Sequence, residues 1–321
     1  MNSTLRIVFM GTPDFAVPSL RILLENNYHV VAIVTAPDKP SGRGRNLESS
    51  AVYNFARSRN LKVLQPDNLK SEEFVRQLTE LRPDLQVVVA FRMLPEVVWR
   101  LPRFGTINLH ASLLPDYRGA APLNWVIING EKESGLTTFF IDEKIDTGRI
   151  ILQEKIMIGE EETARQLHDR MMIKGAELLI RTVNCIGSGN YETKSQQDLI
   201  RAGEELRKAP KITKESCRIN WNEKVVNIFN LVRGLSPYPA AWTEGRKTDG
   251  SILSLQIFSC AKEIIVHGAM PGTPFTDYKT FLKIACADGY IHLLDLKQAG
   301  KKRMKVPDFI RGFRDIESYT F

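Results

Sequence analysis

The run Leu5-Arg6-Ile7-Val8-Phe9-Met10-Gly11-Thr12-Pro13 decides the fold class. Its first six residues, apolar but for Arg6, read as a strand buried on both faces. Gly11 ends the strand, Thr12 suits a helix N-cap and Pro13 suits a first helical residue. Leu20, Leu23 and Leu24 then recur at helical spacing, and His29-Val30-Val31-Ala32-Ile33-Val34-Thr35 reads as a second strand. Strand, helix, strand is a βαβ unit, which predicts a right-handed crossover and a parallel sheet. The turn Gly11-Thr12-Pro13-Asp14 is not G-x-G-x-x-G, so no dinucleotide is expected there.

The alternation continues outward. Helices are predicted over 49–59, 72–81, 97–100 and 163–186, and strands over 61–64, 84–90, 137–141 and 150–156. Residues 36–46, APDKPSGRGRN, hold no apolar residue beyond the first and predict a mobile loop carrying Lys39, Arg43 and Arg45. Residues 191–209 are polar and predict a linker. Beyond Pro210 the pattern changes to a helix over 221–235 and short strands over 241–243, 251–260, 282–285 and 291–296. Turns such as Asp249-Gly250 and Asp288-Gly289 separate these strands, as in a small barrel. The fold class is α/β: a Rossmann-like parallel-sheet domain (1–190), a linker (191–209) and a small OB-like β-barrel (210–321).

A chain of 321 residues suits two domains. No segment approaches the roughly 20 apolar residues of a membrane span. The N-terminus has no signal-peptide layout. Cys185, Cys217, Cys260 and Cys286 form no C-x-x-C pair, which argues against zinc and against a disulfide framework. A reduced, cytoplasmic setting is expected. The net charge of +7 is uneven, with +1 over residues 1–190 and +6 over 191–321. The excess points to a polyanionic partner for the second part, though charge also serves solubility.

Residues 105–115, GTINLHASLLP, read as a strand running into a loop. Alternation puts Asn108, His110 and Ser112 on one face and Ile107 and Leu109 on the other. The carboxyl end of a parallel sheet is where ligands bind. Asp146, in a Gly-bounded loop after a neighbouring strand, is within plausible reach of the imidazole. A carboxylate there favours a charged ring. A strand-end histidine also serves as a buried structural residue, and Asp in Asp146-Thr147-Gly148 also serves as a turn residue. Ser112 lies in no G-x-S-x-G elbow and is not read as a nucleophile. Amide, imidazole and carboxylate without a nucleophile suit direct acyl transfer to an amine. Asn108 and charged His110 would donate to the developing oxyanion, about 3 kcal/mol per donor. Asp146 would orient His110 and help move the proton.

Asn108-x-His110-x-Ser112-Leu113-Leu114-Pro115 with Asp146-Thr147-Gly148 resembles the folate-dependent formyltransferases. The resemblance runs end to end. It takes in Met10-Gly11-Thr12-Pro13-Asp14-Phe15, Pro37-Asp38-Lys39-Pro40 with Gly42-Arg43-Gly44, Tyr117-Arg118-Gly119-Ala120-Ala121-Pro122, and Gly300-Lys301-Lys302. Within that superfamily the chain is similar to the family that formylates methionyl-tRNA. The resemblance implies transfer of the formyl group of 10-formyltetrahydrofolate to the α-amino group of methionine on initiator tRNA, by a monomer without metal. It implies that Asn108, His110 and Asp146 are catalytic. It implies folate contacts from Ser112, Leu113, Leu114 and Pro115, and from Phe91, Arg92, Leu94, Ile141 and Asp142. It implies tRNA contacts from Lys39, Arg43 and Arg45 at the acceptor end, and from the barrel for the tRNA body.

The late basic cluster of Lys297, Lys301, Lys302, Arg303 and Lys305 is the best phosphate-contact patch in the second domain. The sequence departs from the family pattern at Arg92, where Gly is expected, so that side chain must point away from a pterin. Two other readings compete. A formyltransferase for a small amine would keep the trio but need no basic parts, and a nucleic-acid-binding module would tolerate loss of the trio.

Overall fold

The computed structural model describes residues 5–41, 46–201, 203 and 205–321. Its first unit opens with β1 (Arg6–Gly11), α1 (Val17–Glu25), β2 (His29–Val34), α2 (Ala51–Ser58) and β3 (Val63–Leu64). There follow α3 (Glu72–Glu80), β4 (Leu85–Val89), α4 (Glu96–Trp99) and β5 (Thr106–His110). After α5 (Pro122–Ile128) come β6 (Glu133–Phe140), β7 (Ile150–Met157) and α6 (Ala164–Ser188).

These strands form one sheet in the order β3-β2-β1-β4-β5-β6-β7. Strands β1 to β5 are parallel, as the βαβ pattern predicts. β6 is antiparallel to β5, with Ile107 opposite Phe140 and His110 opposite Thr137. The sheet order reverses between β1 and β4, which makes a crevice at their carboxyl ends, beside the end of β5. Ile7, Val8, Phe9 and Met10 have no exposed surface, and burying each such side chain contributes about 1.5–3 kcal/mol.

Some element ends differ from the sequence reading. Ser50 caps α2 by accepting from the Tyr53 N–H, so that helix starts two residues later than predicted. Asp14 to Ala16 make a 3-10 turn, and α1 begins only at Val17, with Pro18 in its first turn. Thr12 is therefore no helix cap. Lys39–Ser41 pairs antiparallel with Asn46–Glu48, so the expected loop is a hairpin at its base.

The second unit carries α7 (Val225–Leu235), β8 (Ala241–Arg246), β9 (Ile252–Ile264), β10 (Pro274–Thr276), β11 (Leu282–Cys286) and β12 (Gly289–Gln298), then β13 (Met304–Lys305) and α8 (Val306–Gly312). Its sheet runs β8-β9-β12-β11-β10, with β13 on β12, all antiparallel. Bulges around Ser259 help curl it into a half-barrel. Val225, Ile228, Phe229, Val232 and Leu235 on α7 share a buried core with Leu253, Leu255 and Ile257 of β9. Trp221 is not helical. Its indole N–H donates to Thr243 Oγ1 at 2.9 Å, and the helix starts after that anchor.

The units do not divide at one point in the sequence. Residues 120–133 and 158–167 group with the residues from Ala209 onward, while 168–208 group with the first unit. The physical reason is specific bonding. Asn124 Nδ2 donates to the Gly234 carbonyl at 2.8 Å, and Arg233 Nη1 donates to the Glu162 carbonyl at 3.0 Å. A Cβ at Gly234 would come within 2.6 Å of Ile128, so α5 and α7 meet where only glycine fits. Against the expected linear division at 190 and 209, the units interleave by contact, and residues up to Lys208 group with the first. Among the described residues, no helix is long and apolar enough to cross a membrane.

Candidate active site

β5 delivers Asn108 half-buried and His110 buried, on the face opposite Ile107 and Leu109. His110 Nε2 donates to the Tyr117 carbonyl at 2.9 Å. Since a carbonyl only accepts, that bond fixes a proton on Nε2 and leaves Nδ1 as the other nitrogen. Nδ1 faces Asp146 Oδ2 at 3.9 Å, too long for a direct hydrogen bond. Asp146 Oδ2 also accepts from the Gly119 N–H at 3.0 Å. Both carboxylate and ring are largely withdrawn from water, with side-chain exposures of 15% and 7%, where charge interactions are stronger than in solvent.

The surrounding loops are built to hold this pair. Tyr117 and Asp146 both have φ in the left-handed region, at 59° and 55°, where a side chain costs energy. Gly148 passes so close to Phe140 that a Cβ would lie 1.6 Å from its carbonyl oxygen, which explains the glycine after Asp146-Thr147. Buried Gln196 donates to the carbonyls of Asp146 and Gly148 at 2.9 and 2.8 Å. Its own carbonyl accepts from Arg118 Nε and Nη2 at 3.0 and 2.6 Å. Burial pushes the Arg118 guanidinium below its usual range, and Asp146, Asp142 and Asp116 oppose that shift.

The sequence reading did not find Tyr117, Arg118, Gly119 or Gln196 as part of the centre. Tyr117 and Gly119 act through main-chain atoms, which carry no side-chain signature. Arg118 and Gly119 were visible only inside the quoted Tyr117 to Pro122 motif. Gln196 gave no signal, because it lies in a polar stretch without periodicity.

The expected folate contacts divide into two sets. Ser112 is fully buried, its hydroxyl donating to the Asp116 carbonyl at 2.7 Å, and Leu114 is buried in a small core with Phe139 and Ile150. These two side chains brace the turn, so the surface this stretch offers is that of half-buried Leu113 and Pro115. Phe91 and Ile141 are half-buried against the core that includes Leu94, and Asp142 is exposed, accepting from Thr147 Oγ1 at 2.7 Å. Arg92 turns away, as the sequence required. Its Nη1 donates to the Asp67 carbonyl at 2.8 Å and its Nη2 to the Pro66 carbonyl.

Of the expected tRNA contacts, Lys39 is exposed, while Arg43 and Arg45 lie outside the described residues. In the second unit Lys301 and Lys302 are exposed. Arg303 is different. It grips Asp295 with two bonds of 2.9 Å and lies 4.2 Å over the Phe258 ring, so its guanidinium is already engaged within the protein. Among the described residues no group of three or more His, Cys, Asp and Glu side chains is arranged to hold a metal.

Residues 5–183 match the formyl transferase family and residues 211–314 match the formyl transferase C-terminal domain. The chain is 52% identical to methionyl-tRNA formyltransferase of Parabacteroides distasonis over 317 residues, covering 98% of each. It is 50% identical to methionyl-tRNA formyltransferase of Bacteroides fragilis over 315 residues, covering 98% of this chain and 97% of the other. In fold it is similar to an N-formyltransferase from Helicobacter canadensis solved with folinic acid and dTDP-3-aminofucose. That likeness has a TM-score of 0.66 at 20% identity and covers 94% of this chain and 100% of the other. On sequence, coverage and fold together, the chain belongs to the methionyl-tRNA formyltransferase family.

Proposed function

We propose that this chain transfers the formyl group of 10-formyltetrahydrofolate to the α-amino group of methionine on initiator tRNA, through Asn108, His110 and Asp146. The observation that carries the reading is the held imidazole. With Nε2–H spent on the Tyr117 carbonyl, all further chemistry of the ring falls to Nδ1, beside Asp146. Folinic acid, a formylated reduced folate, occupies the similarly folded Helicobacter canadensis enzyme, which supports a donor of that class.

The steps follow from charge. The amine lone pair adds to the formyl carbon, and negative charge grows on the formyl oxygen. The Asn108 amide and a protonated His110 Nδ1 donate to that oxygen beside the largely buried Asp146, each donor being worth about 3 kcal/mol. Asp146 steadies the imidazolium and accepts the proton shed by the amine. Collapse breaks the bond to the donor nitrogen, which receives a proton through the same relay. Half-buried Phe91 and Ile141 supply apolar surface for the donor's ring system. Lys39, Arg43, Arg45, Lys301 and Lys302 supply phosphate contacts for the tRNA. The cysteines are free thiols, in keeping with a reduced, cytoplasmic setting.

The test is an acceptor panel. The protein is given 10-formyltetrahydrofolate labelled in the formyl group, with charged initiator tRNA, free methionine, an amino sugar nucleotide or glycinamide ribonucleotide. Label on methionyl-tRNA alone is the expected result. Label on a small amine in preference to the tRNA would overturn the reading.

A further inference from the structure

The sequence presents residues 191–209 as a linker, yet in the structure Thr193, Lys194, Gln196 and Arg207 are tied to β7 and to the loops around His110. Lys194 exchanges two main-chain bonds of 2.9 Å with Ile150 at the start of β7. Arg149 Nε and Nη2 donate to Thr193 Oγ1 and to its carbonyl at 2.6 and 2.7 Å. Two residues on, Gln196 is 2% exposed and has both polar atoms of its side chain engaged. Further along, the Arg207 carbonyl accepts from the Tyr117 N–H at 2.7 Å, and its N–H donates to Asp116 Oδ1 at 2.9 Å.

Two of these ties land on the two residues that bracket His110. Tyr117, which orients the ring through its carbonyl, and Asp146, which faces Nδ1, both adopt the left-handed backbone region without being glycine. Such a conformation persists only where surrounding contacts over-determine it. The Arg207 carbonyl supplies one such contact at Tyr117. Gln196 supplies the other at Asp146, on the carbonyl of the strained residue itself, and spans from there to Arg118 beside Gly119, whose N–H holds the Asp146 carboxylate. A buried amide that donates to two carbonyls and accepts a two-pronged guanidinium is a fixed spacer.

We propose that Gln196 is a positioning residue for catalysis: it sets the Asp146 carboxylate against His110 and touches neither substrate. The proposal rests on the formyl-transfer reading above. Losing the two donor bonds lets the Asp146 loop relax toward an ordinary backbone conformation and widens the gap at Nδ1. Misplacement of about 1 Å near reacting groups costs about a hundredfold in rate.

The experiment is a double-mutant cycle between Gln196→Leu and Asp146→Asn. It is read by single-turnover formyl transfer to methionyl-tRNA with enzyme in excess, which follows rates far below that of the wild type. Alone, Gln196→Leu should lower the transfer rate by about ten- to a hundredfold while KM for each substrate stays within twofold. In the Asp146→Asn background it should add less than twofold, because the group it positions no longer carries charge. A merely structural role predicts the same loss in both backgrounds, and that result would overturn the proposal. So would an undiminished rate in the single variant. If Gln196→Leu does not fold, Gln196→Glu, which keeps the acceptor for Arg118 and loses both donors, replaces it with the same criteria. Absence of formyl transfer by the wild type would instead overturn the functional reading and leave the geometric one to be judged by the Asp146 backbone in a Gln196→Leu crystal structure.

Discussion

The end of β5 and the basic turn after β12 are built on opposite plans. At the first, His110 and Asp146 are nearly dry, and the main chain around them is tied to Gly119, Gln196 and Arg207. At the second, Lys301 and Lys302 stand in solvent on a turn marked by Gly300 at φ 75°. Chemistry on a carbonyl requires groups fixed to fractions of an ångström, and burial with cross-bracing provides that. Attraction of a polyanion requires only charge at the right surface, and mobile lysines suffice. Within the same basic turn Arg303 follows the first plan, locked to buried Asp295. The contrast predicts that substitutions at the first region change rate and spare binding, and those at the second do the reverse.

The largest expected break is His110→Ala, which should lower the transfer rate by about a thousandfold with tRNA affinity unchanged in a filter-binding assay. Equal loss of affinity would erase the distinction between the regions. Asn108→Ala should cost about a hundredfold in kcat, since one oxyanion donor is lost while the imidazole remains. Lys301→Ala with Lys302→Ala should leave the single-turnover rate at saturation intact. It should weaken tRNA binding several-fold and lower the slope of affinity against salt by about one per lost phosphate contact. An unchanged slope would remove those lysines from the interface.

Arg303→Ala sharpens the comparison with the smallest effect. It should barely alter the salt slope and instead cost about 1 kcal/mol of stability, a modest value because the guanidinium is partly exposed. The sign with pH follows from its partner. The hydrogen bonds from Arg303, then Lys305, hold the Asp295 carboxyl below the usual carboxylate range. A group depressed on folding adds stability above its unfolded value and loses it as pH falls through its folded value. The Arg303→Ala penalty should therefore be full at neutral pH and fade in acid, measured by urea unfolding. A penalty independent of pH would mean that packing on Phe258 dominates.

Much of this was legible in the residues. Near-continuous apolar runs at β1 and β4 marked parallel strands, and alternation along β5 put Asn108 and His110 on one face. Gly148 beside Asp146 marked the loop that brings the carboxylate back. What the sequence hid has a common cause. Tyr117 and Gly119 contribute main-chain atoms, and those are the same in every residue but proline. Gln196 matters only because Thr193, Lys194 and Arg207 tie this stretch to β7 and to the turn at Tyr117, a long-range placement with no periodicity to announce it. The grouping of α5 with α7 likewise depends on a close approach at Gly234, which appears in the sequence as an ordinary helical glycine.

With Nε2 bonded to the Tyr117 carbonyl, Nδ1 is the nitrogen of His110 left to act. Nitrogen-15 NMR of the selectively labelled ring, at a pH where it is neutral, reads the tautomer directly. A proton on Nε2 with Nδ1 bare, together with a change in the Nδ1 signal on Asp146→Asn, is the predicted result. A proton resident on Nδ1, or a ring indifferent to Asp146, would contradict it.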